Sequence, residues 1–175
     1  MNVKKIVVAM AMASTMMVGA AQAKDQGHGT VTFTGSIIDA PCSINPDSVD
    51  QTVNLGEVSN VALKNGGTSN PRSFNIKLEQ CDTSTLKTVQ TTFTGAASTG
   101  NPDLLGITGT AKGASIAITD GSGQVITLGS PTPAQKLQDG NNTLAFSAYL
   151  QGDGASATIV PGSFQSVADF TLSYQ

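Results

Sequence analysis

Thr30-Val31-Thr32-Phe33-Thr34-Gly35-Ser36-Ile37 alternates strictly, with Val31, Phe33, Gly35 and Ile37 on one face and hydroxyl side chains on the other. A period of two is the pattern of a strand with one buried face. The same period recurs along the chain. Ser73–Leu78 sets Phe74, Ile76 and Leu78 against Asn75 and Lys77, and Val89 and Phe93 share one face of a further strand. Ile116 and Ile118, the turn Asp120-Gly121-Ser122-Gly123 and the run Val125–Leu128 read as a hairpin. Leu144, Phe146, Ala148 and Leu150 alternate after Asp139-Gly140-Asn141-Asn142. Ala168, Phe170, Leu172 and Tyr174 line one face of a last strand. About six or seven short strands with turn residues between them predict an all-β sandwich of immunoglobulin-like size. Gly95–Gly113, rich in Gly, Thr and Ala, reads as a long surface connection.

The first 23 residues break this pattern. Lys4 and Lys5 precede the apolar run Ile6–Ala13, and Ala21-Gln22-Ala23 supplies small residues for cleavage. Residues 1–23 therefore read as a secretory signal peptide. The apolar stretch between Lys5 and Gly19 falls short of the roughly 20 residues that span a bilayer, so the expected product is released across the membrane. Export changes the meaning of the two cysteines, Cys42 and Cys81. In an oxidising compartment an even pair reads as a disulfide. Closing a loop of about 40 residues stabilises a fold by roughly 4 kcal/mol on the chain-entropy argument. With only His28 near them, the two cysteines make no closed metal-ligand set.

Composition removes several function classes. Nine basic and twelve acidic residues give a net charge of −3 with no Lys or Arg cluster, so no phosphate-binding surface and no nucleic-acid partner is expected. The single histidine, His28, lies in Gly27-His28-Gly29, too close to the mature N-terminus for the rigid support a catalytic base needs. Asp82, Asp103, Asp120, Asp139 and Asp153 stand in turn-like surroundings, where aspartate bonds its own backbone. No catalytic residue, metal site or cofactor is predicted. A secreted sugar-binding sandwich is the alternative from another class, but its aromatic platforms are reduced to Tyr149 and Tyr174, with no Trp. Asn141-Asn142-Thr143 matches a glycosylation sequon, a pattern frequent by chance.

The N-terminal alternation leaves two readings open. It is either the ordinary first strand of the chain's own sandwich or a terminal strand that needs a sheet edge and a row of pockets. Gly35 falls on its apolar face, where a missing side chain permits close backbone approach.

Near the C-terminus, Gly162, Phe164, Ala168, Phe170, Leu172 and the penultimate Tyr174 form one spaced series. Together with Thr32–Gly35, Ala40-Pro41-Cys42-Ser43-Ile44, Cys81 and Leu144–Leu150, the sequence resembles a pilin of the chaperone–usher pathway, closest to the major rod subunits of P-type and type 1 fimbriae. The resemblance implies an incomplete immunoglobulin-like sandwich lacking its last strand, completed by donor-strand complementation, a known form of strand addition. It implies a donor extension at residues 24–37, with Val31, Phe33, Gly35 and Ile37 facing the groove, and a pilin domain at residues 38–175. The acceptor and chaperone-binding strand would carry Gly162, Phe164, Ala168, Phe170, Leu172 and Tyr174. Implied partners are identical subunits, a periplasmic chaperone and an outer-membrane usher, with minor pilins and a tip adhesin as further candidates. The implied location is a cell-surface fimbria, reached through the periplasm. A minor adaptor or initiating pilin would share all of these features.

Overall fold

The computed structural model describes residues 27–175; the expected signal peptide, residues 1–23, and the first residues of the expected donor extension lie outside them. The chain divides after Ile37 into two units. In the first, the described residues Gly27–Ile37 contain neither strand nor helix. The alternation of Thr30–Ile37 thus forms no strand within the described chain. A strand exists only by pairing, and no backbone ladder reaches this segment.

The second unit, Ile38–Gln175, is all β apart from two short 3-10 turns. Its strands are β1 (Ser43–Ile44), β2 (Arg72–Cys81), β3 (Thr88–Gly95), β4 (Leu105–Gly106) and β5 (Thr108–Gly109). They continue with β6 (Ala114–Asp120), β7 (Gln135–Lys136), β8 (Gly140–Gly152), β9 (Phe164–Gln165) and β10 (Ala168–Tyr174). The larger sheet has the order β1-β2-β8-β6-β4 and the smaller β10-β3-β7, while β5 and β9 pair by themselves. All pairings are antiparallel.

Alternation decides what lies between the sheets. Ile76 and Leu78 of β2, Leu144 and Phe146 of β8, and Val89 and Phe93 of β3 are buried in one core. Phe93 meets Phe146 edge to face with ring centres 5.0 Å apart, and Phe74 stacks on Phe146 at 5.6 Å. Such ring pairs contribute roughly 0.5–1.5 kcal/mol beyond the area they bury.

One residue interrupts the period. From Leu78 to Cys81, β2 takes three steps while β8 takes two, from Asn142 to Gly140. This bulge moves Cys81 onto the inward face shared by Ile76 and Leu78, where it forms the disulfide with Cys42. The bulge places Gln80 at φ +52°, a left-handed backbone that costs a residue with a Cβ about 1–2 kcal/mol. Gln80→Gly should therefore raise the denaturant midpoint slightly, and Gln80→Val should lower it by about 1–2 kcal/mol in stability. Both are read at low protein concentration with the disulfide intact. Equal losses from Gly and Val would show that backbone strain is not what the position carries.

Two segments differ from expectation. Gly95–Gly113 is more than a surface connection: Leu104 and Leu105 are buried, and β4 adds an edge to the larger sheet. Polar groups pin it, since the fully buried Ser115 hydroxyl lies 2.7 Å from Ser98 Oγ and also bonds the Asp153 carboxylate. The hairpin expected at 116–128 is present only in outline. Ile126 N–H donates to Ile118 C=O at 2.8 Å and Val125 forms a lone bridge to Thr119, so Val125–Leu128 is not a strand.

Candidate functional site

β10 is an edge strand, paired with β3 on one side only. Gln175 and Thr88 exchange both backbone bonds, at 3.0 and 2.9 Å. Alternation along an antiparallel ladder then turns the N–H and C=O groups of Ala168, Phe170, Leu172 and Tyr174 away from β3, toward the bare edge. The side chains of the same four residues turn inward but stay half-buried. Val89 and Phe93, on the partner strand, are fully buried.

Opposite β10 runs a second uncovered segment. Val53 and Val58 are half-buried and Leu55 is buried, yet among the described residues no backbone-to-backbone hydrogen bond engages residues 50–58. Its start is tied to β2 by Gln51, whose side-chain amide donates to Asn75 C=O at 2.9 Å. Between this segment and residues 162–170 lie three contiguous hollows of about 180, 1,030 and 180 Å³. The first is floored by Phe74, Phe93 and Ile118 and walled by Phe170. The large middle one lies between Leu55 and Phe164, and the last beside Leu63, Leu150 and Ile159. Together they form a long groove of mixed polar and apolar lining, with unpaired backbone along residues 50–58 on one rim and along the outer edge of β10 on the other.

Gly162 and Phe164 lie on the far part of the rim. A Cβ at Gly162 would stand 2.7 Å from Ala111 N, so only glycine lets the chain cross residues 110–111 this closely. Where β10 begins, the floor is raised. A Cβ on Gly95, opposite Ala168, would stand 2.5 Å from Leu105 Cδ1, so Leu105 fills the space under this point. Burial raises the Tyr174 phenol above its ordinary pKa, in keeping with a ring half sunk at the groove's end.

In the other unit, Val31 is 74%, Phe33 90% and Ile37 104% exposed, and a Cβ on Gly35 would meet nothing within 4 Å. Apolar side chains of this size are seldom left in water in a row without a partner.

The turn aspartates divide. Asp82 and Asp120 accept from backbone N–H groups two residues on, as expected of turn residues, whereas Asp139 accepts from Thr83 N and Oγ1 in a distant loop. Hydrogen bonds hold all three carboxyls below the usual range, led by the Ser84 backbone for Asp82, the Ser122 hydroxyl for Asp120 and the Thr83 hydroxyl for Asp139. They fasten turns. Among the described residues no group of three or more His, Cys, Asp or Glu could hold a metal ion.

Sequence reasoning missed the wall at residues 51–58. The signal was present in Thr52-Val53-Asn54-Leu55, a short alternation bounded by Gly56.

Comparison with known proteins places these features in company. The family model described as "Fimbrial protein" matches residues 31–175. The chain is 74% identical over 155 residues to the Fimbria A protein of Serratia marcescens, covering 89% of each. It is 54% identical over 176 residues to the Major MR/P fimbria protein of Proteus mirabilis, covering 100% of both. Among solved structures it is similar to the P pilus rod subunit PapA, with 34% identity and a TM-score of 0.70 over 78% of this chain and 100% of that one. It is also similar to a chaperone–usher pilus structure, with 36% identity and a TM-score of 0.76 over 86% of this chain and 97% of that one.

Proposed function

From the premise that the chain belongs to the fimbrial protein family, we propose that it is a structural subunit of a bacterial surface fimbria, built by donating its N-terminal segment to the groove of a neighbour. The observation that carries the reading is the bare β10 edge, with its four half-buried inward side chains beside an open groove. The exposed row Val31, Phe33 and Ile37 is the complementary ligand.

Added antiparallel to β10, the donated strand pairs with the free groups of Ala168, Phe170, Leu172 and Tyr174. In the register that sets Gly35 against Ala168, the glycine lies over the floor raised by Leu105. Phe33 then reaches the hollow walled by Phe170, and Ile37 the larger one between Leu55 and Phe164. Each buried donor side chain contributes about 1.5–3 kcal/mol as an upper estimate. Donation from one copy to the next is heterologous and does not close, so it produces a filament.

The rest of the assignment follows the same logic. Residues 1–23 direct export, residues 24–37 donate and residues 38–175 accept. A periplasmic chaperone covers the groove before assembly and an outer-membrane usher exchanges it for the incoming donor; minor pilins and a tip adhesin complete the fibre. The role is mechanical, and no reaction is catalysed.

A synthetic peptide of residues 24–37 tests the joint. Added in excess to chaperone-held subunits, it should cap them and collapse the polymer ladder to monomers, while the same peptide with Gly35→Leu should not. An unchanged ladder with the unmodified peptide would remove residues 24–37 from the joint.

A further inference from the structure

Outside the groove, on the face of the larger sheet turned away from the core, the register lines up small polar side chains across three strands, with Thr119 buried and Ser73 exposed. Thr119 of β6 stands opposite Ser147 of β8, and Ser147 stands opposite Ser73 of β2. The Ser73 and Ser147 hydroxyls approach to 3.5 Å. In the next row Ala145 faces Asn75, and on the other side Tyr149 faces Ala117. Small residues in the middle and larger ones around them leave a recess of about 550 Å³, rimmed by Tyr149, Asn75 and the turn at Asp120. Ligand sites commonly have volumes of roughly 300–1,000 Å³.

We propose that this recess binds a neutral saccharide. Tyr149 would lie against a C–H face of a sugar ring, while Asp120, Asn75 and Ser147 meet its hydroxyls. The two features that assembly does not use, the Tyr149 ring and the Asp120 turn, converge here. Tyr149 is half-buried, and among the described residues its phenol makes no hydrogen bond, so ring and hydroxyl are both available. Asp120 is pre-set: Oδ1 accepts from Ser122 N at 2.9 Å, Ser122 Oγ at 2.6 Å and Gln124 N at 3.0 Å, which fixes the carboxylate and leaves Oδ2 for a ligand.

The chemistry of the lining selects the class. No Lys or Arg lines the recess and Asp120 is anionic, so phosphate and acidic sugars are disfavoured. A single carboxylate with one oxygen already committed is a poor cation cage. The recess lies over β8, which is paired on both sides, so a peptide finds no free backbone to extend. What remains is a polyol with an apolar patch. Repetition along a fibre would multiply a weak single-site affinity.

The test uses sheared fibres on an array of neutral glycans ending in mannose, galactose or N-acetylglucosamine. In parallel, saturation-transfer NMR with the methyl glycosides is run on the full mature chain held soluble by the peptide of residues 24–37, which does not depend on fibre formation. Binding to at least one sugar is expected. Tyr149→Ala should weaken it at least tenfold, Ser147→Tyr should fill the recess and abolish it, and Tyr149→Phe should keep it within about threefold. Electron microscopy of the variant fibres reports assembly separately from sugar binding. Absence of binding by the unmodified chain in both formats, or equal binding by Tyr149→Ala and Ser147→Tyr fibres, overturns the proposal. So does a Ser147→Cys fibre whose thiol is shielded from maleimide by a neighbouring copy.

Discussion

A second copy of residues 24–37, joined after Gln175 through a flexible linker of about four to six residues, should convert the mature chain into a stable monomer. The unmodified mature chain, without chaperone or neighbour, should aggregate. The geometry favours the fusion. β10 ends at Tyr174, so a strand entering from Gln175 returns antiparallel to it through a short turn, the simplest connection between neighbouring strands. Val31, Phe33 and Ile37 together offer about 5–9 kcal/mol of burial at most, comparable to the whole stability of an ordinary domain. A gain of half that amount should raise the melting temperature by about 5–18 °C. Left unfilled, the same groove exposes apolar surface and unpaired strand edge, both of which drive association. Size-exclusion chromatography and thermal melting read the two states. A fused copy carrying Phe33→Asp should lose most of the gain. If the unfused chain proves as monomeric and as heat-stable as the fusion, the domain lacks no strand.

The strands that pair within the chain were legible because each presents one face to a core made by the same molecule. Phe74, Ile76 and Leu78, or Leu144 through Leu150, alternate over enough positions to fix both strand and face, and the structure buries those faces. Alternation by itself does not say whose core a face enters. Val31, Phe33 and Ile37 carry the most regular period in the sequence, yet they are exposed and belong to no sheet among the described residues. The wall at residues 51–58 was missed for the complementary reason. Val53 and Leu55 alternate over too few positions to stand out, and their backbone finds no partner within the domain. The Gly95–Gly113 segment was misjudged because small residues there report close packing as readily as flexibility. A Cβ at Gly106 would stand 3.1 Å from Ala97 C=O, and Ser98 is buried against Ser115. The bulge at Gln80 left no trace in the hydrophobic pattern except that Cys81 falls on the odd phase, a clue that becomes readable once the disulfide is assigned.

Donor and acceptor should fail at different stages when each is altered alone. In Gly35→Leu, the substitution falls where, among the described residues, a Cβ finds no neighbour within 4 Å. Folding, export and chaperone capture should therefore proceed normally. The penalty should arise only at the joint, where the donated residue lies over the floor raised by Leu105. Overpacking of this kind costs about 1–3 kcal/mol, and it recurs at every addition, so each elongation step should be disfavoured by roughly 5- to 150-fold. Tyr174→Ala acts on the acceptor. It removes a half-buried ring from the inward face of β10, at about 1–3 kcal/mol, from a strand whose outer edge is unpaired. That loss falls before assembly, so less subunit should be recovered with the chaperone. Co-purification with the chaperone reads the first stage and electron microscopy of surface fibres the second. Gly35→Leu should give full chaperone complex and few or short fibres, and Tyr174→Ala should give little complex and, in proportion, few fibres. Fibres of normal length and number from Gly35→Leu would take this strand out of the joint and leave the exposed row at Val31, Phe33 and Ile37 without its partner.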